Sequence, residues 1–261
     1  MAKSKKNKGL HISMLIKLCI AAGLMVFLAY CVSVRLTSQV SDVKITIEKD
    51  SDQKYLIKAK EVRAQLADIL GYDISIANPG QLNVQSLEAK LKRDGRVNTA
   101  EIYIDKHNVI RVNVRQNRPI VRVEVSGGED FYLDYEGRRI PITESIRVPV
   151  VTGSVERYTA NYKEIKKHNL NDVLLISRKI YDNEFLSSLV DQIDVDSNNE
   201  IVLVPKLGRG KIQLGDVSDI DEKIYKLKVY YANGLKNIGI DKFDELDLRY
   251  KNQVIPRNVE S

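Results

Sequence analysis

From Met14 to Val34 the chain reads MLIKLCIAAGLMVFLAYCVSV, apolar apart from Lys17 near its start and Ser33 near its end. As a helix rising about 1.5 Å per residue this run is about 31 Å long, close to the roughly 30 Å of bilayer hydrocarbon, so 14–34 reads as a membrane span. Lys17 falls in the first turn, where its aliphatic stem can lie along the helix while the ammonium returns to the headgroups. The preceding tail, 1–13, carries Lys3, Lys5, Lys6 and Lys8 and no acidic residue. With Lys17 these charges hold the N-terminus in the cytoplasm by the positive-inside rule, and everything past Arg35 is exported.

A cleaved signal peptide shares the basic tail and apolar core. Against cleavage stand the length of the run and the residues after it, Tyr30 to Arg35, which offer no small-x-small site. Cys31 invites a lipoprotein reading, but the bulky Tyr30 before it is wrong for that processing. An uncleaved, single-pass membrane anchor is the expectation.

The formal charge of +6 suggests nucleic acid until it is located. Five lysines and no acid lie within residues 1–17, which leaves +1 for all the rest. The basicity is therefore topological, and no nucleic-acid partner is expected. Both cysteines, Cys19 and Cys31, sit inside the span, so the exported part has no disulfide and depends on packing alone.

Residues 35–41 form a short polar linker. Val43, Ile45 and Ile47 then alternate with polar residues as in a half-buried strand. Within 58–70, Val62, Leu66, Ile69 and Leu70 share a helical face that Gly71 closes. Asn83 can cap a second helix with Val84, Leu87 and Leu91 on one face. Strands at 97–104 and 109–114 follow, turning at 105–108. The order β-α-α-β-β gives a small α+β domain over 42–118, with Val62, Leu66, Leu87, Leu91, Ile102 and Val112 as its core.

The segment LEAKLKRDGRVNTAEIYIDKHNVIRVNVRQNRPIVRV resembles the end of a POTRA (polypeptide-transport-associated) domain of the FtsQ/DivIB cell-division family. Arg118-Pro119-Ile120-Val121 is close to that family's "R-x-P-V" strand ending, whereas Gln116-Asn117 stands where members often carry Glu-Arg. FYLDYEGRRIPI resembles the "Y-x-x-D-x-x-G" opening of the family's β domain, with Phe131 in place of the first tyrosine, and RVPVVTGSV resembles its "x-P-x-x-x-G" strand. Asp247 to Val254 is similar to the C-terminal signature "D-L-R-Y-x-N-x-V". The resemblance implies an α+β protein in which a β-α-α-β-β POTRA-like domain is followed, over 119–257, by a mostly antiparallel β domain with flanking helices. A short tail, 258–261, ends the chain.

Within that second region the pattern gives a helix over 171–190, broken near Asn183, then strands at 192–195, 200–205 and 211–214. A helix capped by Ser218 and stopped at Gly234 or Gly239 comes next. The end reads as a hairpin: Leu246, Leu248 and Tyr250 alternate on one strand, Lys251-Asn252 turns, and 253–257 is the last strand.

No catalytic set emerges. His11, His107 and His168 have no partner at zinc spacing and read as surface or turn residues. Gly208-Arg209-Gly210-Lys211 resembles a phosphate loop, but Pro205 replaces its first glycine and Ile212 its hydroxyl residue. There is no nucleophile elbow, and a carboxylate pair meeting in a cleft is the one hydrolase reading left open. The expectation is a non-enzyme without cofactor, metal or small-molecule substrate. The resemblance implies a divisome scaffold at the septum that recruits bitopic FtsB/FtsL-like partners, meets other septal proteins and licenses septal peptidoglycan synthesis. The alternatives are another POTRA-containing envelope scaffold or polypeptide-transport factor, and a membrane-anchored periplasmic hydrolase.

Strand addition is the binding mode the resemblance implies. The last strand of a chain often lies at a sheet edge, and Lys251, Pro256 and Arg257 bracket an unprotected Gln253-Val254-Ile255. The partner-binding residues expected are Leu248, Arg249, Tyr250, Gln253, Val254 and Ile255. Alternation places Tyr250 with the core, whereas the family's tyrosine at this place touches the partner.

Overall fold

The computed structural model describes residues 5–36, 40–49, 54–208, 210–233 and 243–258, with only the backbone for 5–15 and 34–36. Helix α1 runs from Lys5 to Leu36, and its side chains from 16 to 33 are exposed throughout. An apolar surface of that extent with no protein over it fits a membrane-spanning helix. Among the described residues it is the one helix long and apolar enough to cross a bilayer. Lys17 is exposed on it; Lys3 lies outside the described residues, as do the side chains of Lys5, Lys6, Lys8 and His11.

The remaining elements divide into two compact units. The first is built on 58–93 and 99–115 together with the N-terminal part through Glu48. Its sheet has the order β1 (Asp42–Glu48), β3 (Val109–Gln116), β2 (Val97–Ile104), with β1 parallel to β3. Helix α2 (Ala59–Leu70) ends at Gly71, whose φ of 79° is the left-handed cap that glycine accepts without strain. Helix α3 (Val84–Leu91) starts where the Asn83 side chain accepts from Ser86 N at 3.0 Å. Glu88 on α3 accepts from Ile102 N at 2.7 Å, which ties the helix to β2. All six residues expected to form the core are buried.

The second unit takes 116–261 and also draws in 49–57 and 94–98, segments that the sequence blocks place within 42–118. The reason is polar. Gln116 and Asn117, where the family often has Glu-Arg, are both buried. Gln116 accepts from Leu56 N at 3.0 Å and donates to Lys54 O at 2.7 Å, while Asn117 donates to Gly95 O at 2.6 Å. Leu56 is thereby held against Tyr132 and Ile140.

Nine strands form the second sheet, in the order β12-β11-β10-β9-β8-β7-β4-β5-β6. They are β4 (Pro119–Val123), β5 (Phe131–Asp134), β6 (Arg139–Pro141), β7 (Val150–Gly153), β8 (Val190–Val195), β9 (Ile201–Pro205), β10 (Lys211–Gly215), β11 (Glu245–Asp247) and β12 (Ile255–Arg257). Most neighbours are antiparallel, but β4, β7 and β8 run parallel to one another, as do β10 and β11. A parallel pair needs a crossover. Helices α4 (Leu170–Asp182) and α5 (Glu184–Leu189) cross from β7 to β8, and α6 (Ile220–Asn233) leads from β10 toward β11. Their apolar faces pack on the inward residues of β8, β9 and β10 in one core. The break between α4 and α5 falls at Asn183, whose side chain accepts from Leu186 N to start the second helix.

Two details differ from the sequence expectations. Ser218 does not cap α6: its hydroxyl and N–H both donate to Asp216, and α6 begins two residues later. The expected stops at Gly234 and Gly239 lie outside the described residues. His168 is buried instead of lying on the surface, with its ring 5.6 Å from that of Tyr162 and Nε2 3.2 Å from Arg157 O. Tyr162 is itself fully buried, which pushes its phenol up to about 12, and its hydroxyl donates to Gly137 O. Gly137 has φ 78°, and a Cβ there would collide with that hydroxyl and with Leu174.

Leu91→Ala is expected to destabilise the first unit by about 2–5 kcal/mol, because it empties a filled site between α3 and its sheet. Lys90→Ala, at an exposed position, should do little. Thermal melts of the protein with each change measure the difference.

Candidate functional site at the C-terminal sheet edge

Backbone accounting fixes which groups of the last strand are available. Lys211 N donates to Asp244 O and Leu248 N to Gln213 O, so the even-numbered groups of β11 turn toward β10. Glu245 and Asp247 are left to face β12, where they are paired with Arg257 and Ile255. Between those two lies Pro256, opposite Leu246, so its backbone faces away from the sheet. A proline there gives up an N–H that would have no partner, and the edge of the strand proper offers a carbonyl and no donor.

The strand β11 stops at Asp247, three residues earlier than alternation to Tyr250 predicts. The cause is the Asp247 carboxylate, whose residue is fully buried. It accepts from Arg249 N at 3.1 Å and from Arg249 Nε at 3.0 Å, turning the chain back on itself. Arg249 Nη2 and Arg257 Nη2 both reach its other oxygen at 2.8 Å. These bonds, those from Arg249 foremost, hold the Asp247 carboxyl below the usual carboxylate range. Arg249 also reaches Glu200 at 3.0 Å, and its stem lies against Gly215, where a Cβ would come within 2.8 Å of Cγ. One acid thus bridges β11 to β12 and, through Arg249, to the start of β9.

The six expected partner-binding residues separate on this frame. The Leu248 side chain is fully buried in the core and is not available to a partner. The backbone of Ile255 is paired with Asp247, so it is not unprotected as the sequence suggested. Val254 is half-buried against the core, Gln253 is exposed, and both precede the strand. Arg249 is committed to Asp247 and Glu200. Tyr250 is 44% exposed and lies outside the core cluster, because alternation ends with the strand. Its hydroxyl is 3.4 Å from Arg257 Nη2, and its carbonyl accepts from Lys226 Nζ of α6 at 2.6 Å. Lys226, which also reaches Leu248 O at 3.2 Å, went unnoticed in the sequence as the post that carries this loop. The turn holds Asn252 at φ 60°, a conformation asparagine tolerates.

A match to the family described as FtsQ/DivIB, C-terminal related, covers residues 118–256, and a match to a POTRA-like domain covers 38–115. The chain belongs to the FtsQ/DivIB family. No curated protein matches it. Members of the FtsQ/DivIB family are non-enzymatic cell-division scaffolds, and the chain has the corresponding parts: one apolar helix fitting a single-pass anchor, a POTRA-like domain and a sheet-rich C-terminal domain. FtsQ/DivIB proteins work by protein–protein contact within the division machinery, which makes an accessible sheet edge the natural place to look.

A carboxylate held below its ordinary range adds stability that is fully present above about pH 4 and is lost as pH falls through its folded value. The β11–β12 hairpin should therefore loosen on acidification, read as faster amide exchange at Arg249, whose N–H donates to the Asp247 carboxylate. Asp247→Asn should weaken the hairpin at neutral pH by about 2 kcal/mol and flatten that acid dependence.

Proposed function

We propose that this protein is a septal scaffold whose tail is cytoplasmic and whose folded units stand beyond the inner membrane, where the C-terminal edge captures an FtsB/FtsL-like bitopic partner. Through that capture it couples division to septal peptidoglycan synthesis. The observation that supports this reading is the position of β12 as the terminal strand of the nine-stranded sheet, with Tyr250 exposed beside it. A partner strand laid along the outer side would find the carbonyl of Pro256 and, continuing the same alternation, the N–H and C=O of Val254 and Asn258. Tyr250 supplies a phenol ring of the kind that dominates interface energetics. Arg249, Gln253 and Ile255 frame the contact, while Leu248 supports it from the core. The POTRA-like domain, taken as 42–118, serves as the docking surface for septal localisation.

Val254→Pro removes the outward donor next to the strand, and Tyr250→Ala removes the exposed ring without touching the core. Each protein is expected to insert and fold, yet to fail to co-purify with the partner and to leave cells filamentous. A folded Val254→Pro protein that captures the partner normally would overturn strand addition.

Orientation has its own check. A reporter active only outside the cytoplasm should work when fused after Arg257 and fail when fused before His11, and exchanging Lys3, Lys5, Lys6 and Lys8 for glutamate should impair that insertion.

A further inference from the structure

A second binding feature lies on the same sheet, well away from β12. At the amino ends of the parallel strands β4, β7 and β8 the ladder opens into a cleft of about 480 Å³. Two of the register shifts in this sheet meet there. Pro119 and Val121 pair with Asp134 and Leu133, so Ile120 has no partner opposite it; Val190 and Gln192 pair with Pro205 and Val204, so Asp191 has none either. Both Ile120 and Asp191 line the cleft. Bulges of this sort interrupt pairing and re-aim side chains, and they gather beside functional sites.

The wall on one side is the extended segment 145–149, and it is held in place beforehand. The buried Tyr132 hydroxyl accepts from Ile146 N at 2.9 Å and donates to Glu144 O at 3.1 Å, while Pro149 O accepts from Arg122 N. The lining is mostly aliphatic, with Ile120, Ile146, Val148, Pro149 and Ile180, and Ser145 and Ser187 interrupt it. Its rim is cationic: Lys54, Arg118, Arg147 and Lys206 stand against the single carboxylate of Asp191, a surplus of three charges on an exported part that is nearly neutral as a whole. Among the described residues neither Lys54 nor Arg147 has a carboxylate partner, and both are exposed. From the rim a run of stacked groups leads onto α4. Arg118 lies over the Tyr181 ring at 5.4 Å, Tyr181 meets Tyr135 edge to face at 5.8 Å, and Arg178 lies over Tyr135 at 5.2 Å. Both tyrosines are 40% exposed.

We propose that this cleft is a docking site for an extended acidic protein segment in which carboxylates alternate with aliphatic side chains. A strand has a side-chain period of two, so such a segment sets its aliphatic residues on the Ile120–Val148 floor and its carboxylates against the cationic rim. A concave, mostly aliphatic floor suits neither a flat membrane, which cannot enter it, nor a glycan, which needs more hydrogen-bonding groups below it than Ser145 and Ser187 supply. Exposed tyrosine and arginine at the mouth are the residues that protein interfaces favour. The cleft begins at β8, four strands from β12 and hence about 19 Å away, so this site and the edge strand can be occupied together.

The test uses the full chain in lipid nanodiscs and a fluorescein-labelled synthetic heptapeptide alternating glutamate with valine, read by fluorescence anisotropy. Saturable binding is expected, about tenfold weaker in the Lys54→Glu, Arg147→Glu protein, weaker again with Val148→Ser, and unchanged by Val254→Pro. Melting temperatures should hold for the two exposed charge reversals, which separates loss of binding from loss of fold. Equal affinity of the wild-type and charge-reversed proteins overturns the proposal. So does a glutamate–serine peptide that binds as well as the glutamate–valine one, since charge alone would then suffice. Charge reversal that abolishes binding to phosphatidylglycerol vesicles or muropeptides while sparing the peptide would assign the cleft to those ligands and overturn it too.

Discussion

An open β-sheet must end, and each terminal strand has a row of backbone donors and acceptors for which the sheet itself supplies no partner. In the nine-stranded sheet those ends are β6 and β12, and the chain treats them alike: both are three residues long and both contain a proline, Pro141 and Pro256. At β12 the proline sits at the residue whose backbone faces out, so the edge cannot pair freely with any passing strand. Such a short strand holds little by its own ladder. What fixes it is a side-chain clamp, with Asp247 on β11 gripping Arg249 from the loop and Arg257 from β12 through the same buried carboxylate. The edge is therefore weakly adhesive in general but rigidly presented. A surface meant for one partner and not for aggregation needs both properties.

What the sequence makes legible follows from the range of the interactions involved. The apolar run of α1, the helical faces of α2 and α3, Gly71 closing the first and Asn83 opening the second, and the break at Asn183 are all set by residues a turn or two apart. They could be read in advance because the cause lies beside the effect. The six core positions of the first unit follow for the same reason, since amphipathic period and burial are the same constraint. The family signature at Asp247–Val254 was legible as wording, and the match over 118–256 agrees with it.

Sheet order was not legible in this way. Nothing local says that β7 lies between β4 and β8, or that 49–57 and 94–98 join the second unit through Gln116 and Asn117. The loop after β11 shows how one residue can defeat a pattern. Leu246, Leu248 and Tyr250 alternate perfectly in sequence, yet Leu248 is buried and Tyr250 is exposed. The carboxylate of Asp247 competes with the ladder for the N–H of Arg249, and the chain turns there instead of continuing. His168 was misread for a related reason. A lone histidine looks like a surface residue until the segment before it folds back and sets Tyr162 and the carbonyl of Arg157 around it.

The same competition between ladder and side chain organises the other end of the sheet. At Ile120 and Asp191 the register slips by one residue, and between these slips the strands β4 and β8 no longer close on the segment leading into β7. Regular pairing would fill that space, and its absence leaves an aliphatic floor ringed by charge. Both candidate surfaces thus arise where the ladder is interrupted, at β12 by a proline and a buried acid and at the cleft by two bulges. Between them lie β9, β10 and β11, whose inward residues share one continuous core with α4, α5 and α6. A scaffold gains from this division of labour. The regular strands form the core, and the irregular positions, which cost little of it, offer surfaces that differ in chemistry: backbone groups at one, charge and aliphatic side chains at the other. Because one core separates the two proposed sites, ligands there would be held at a set distance from each other, and a fixed spacing is something a scaffold can contribute to an assembly.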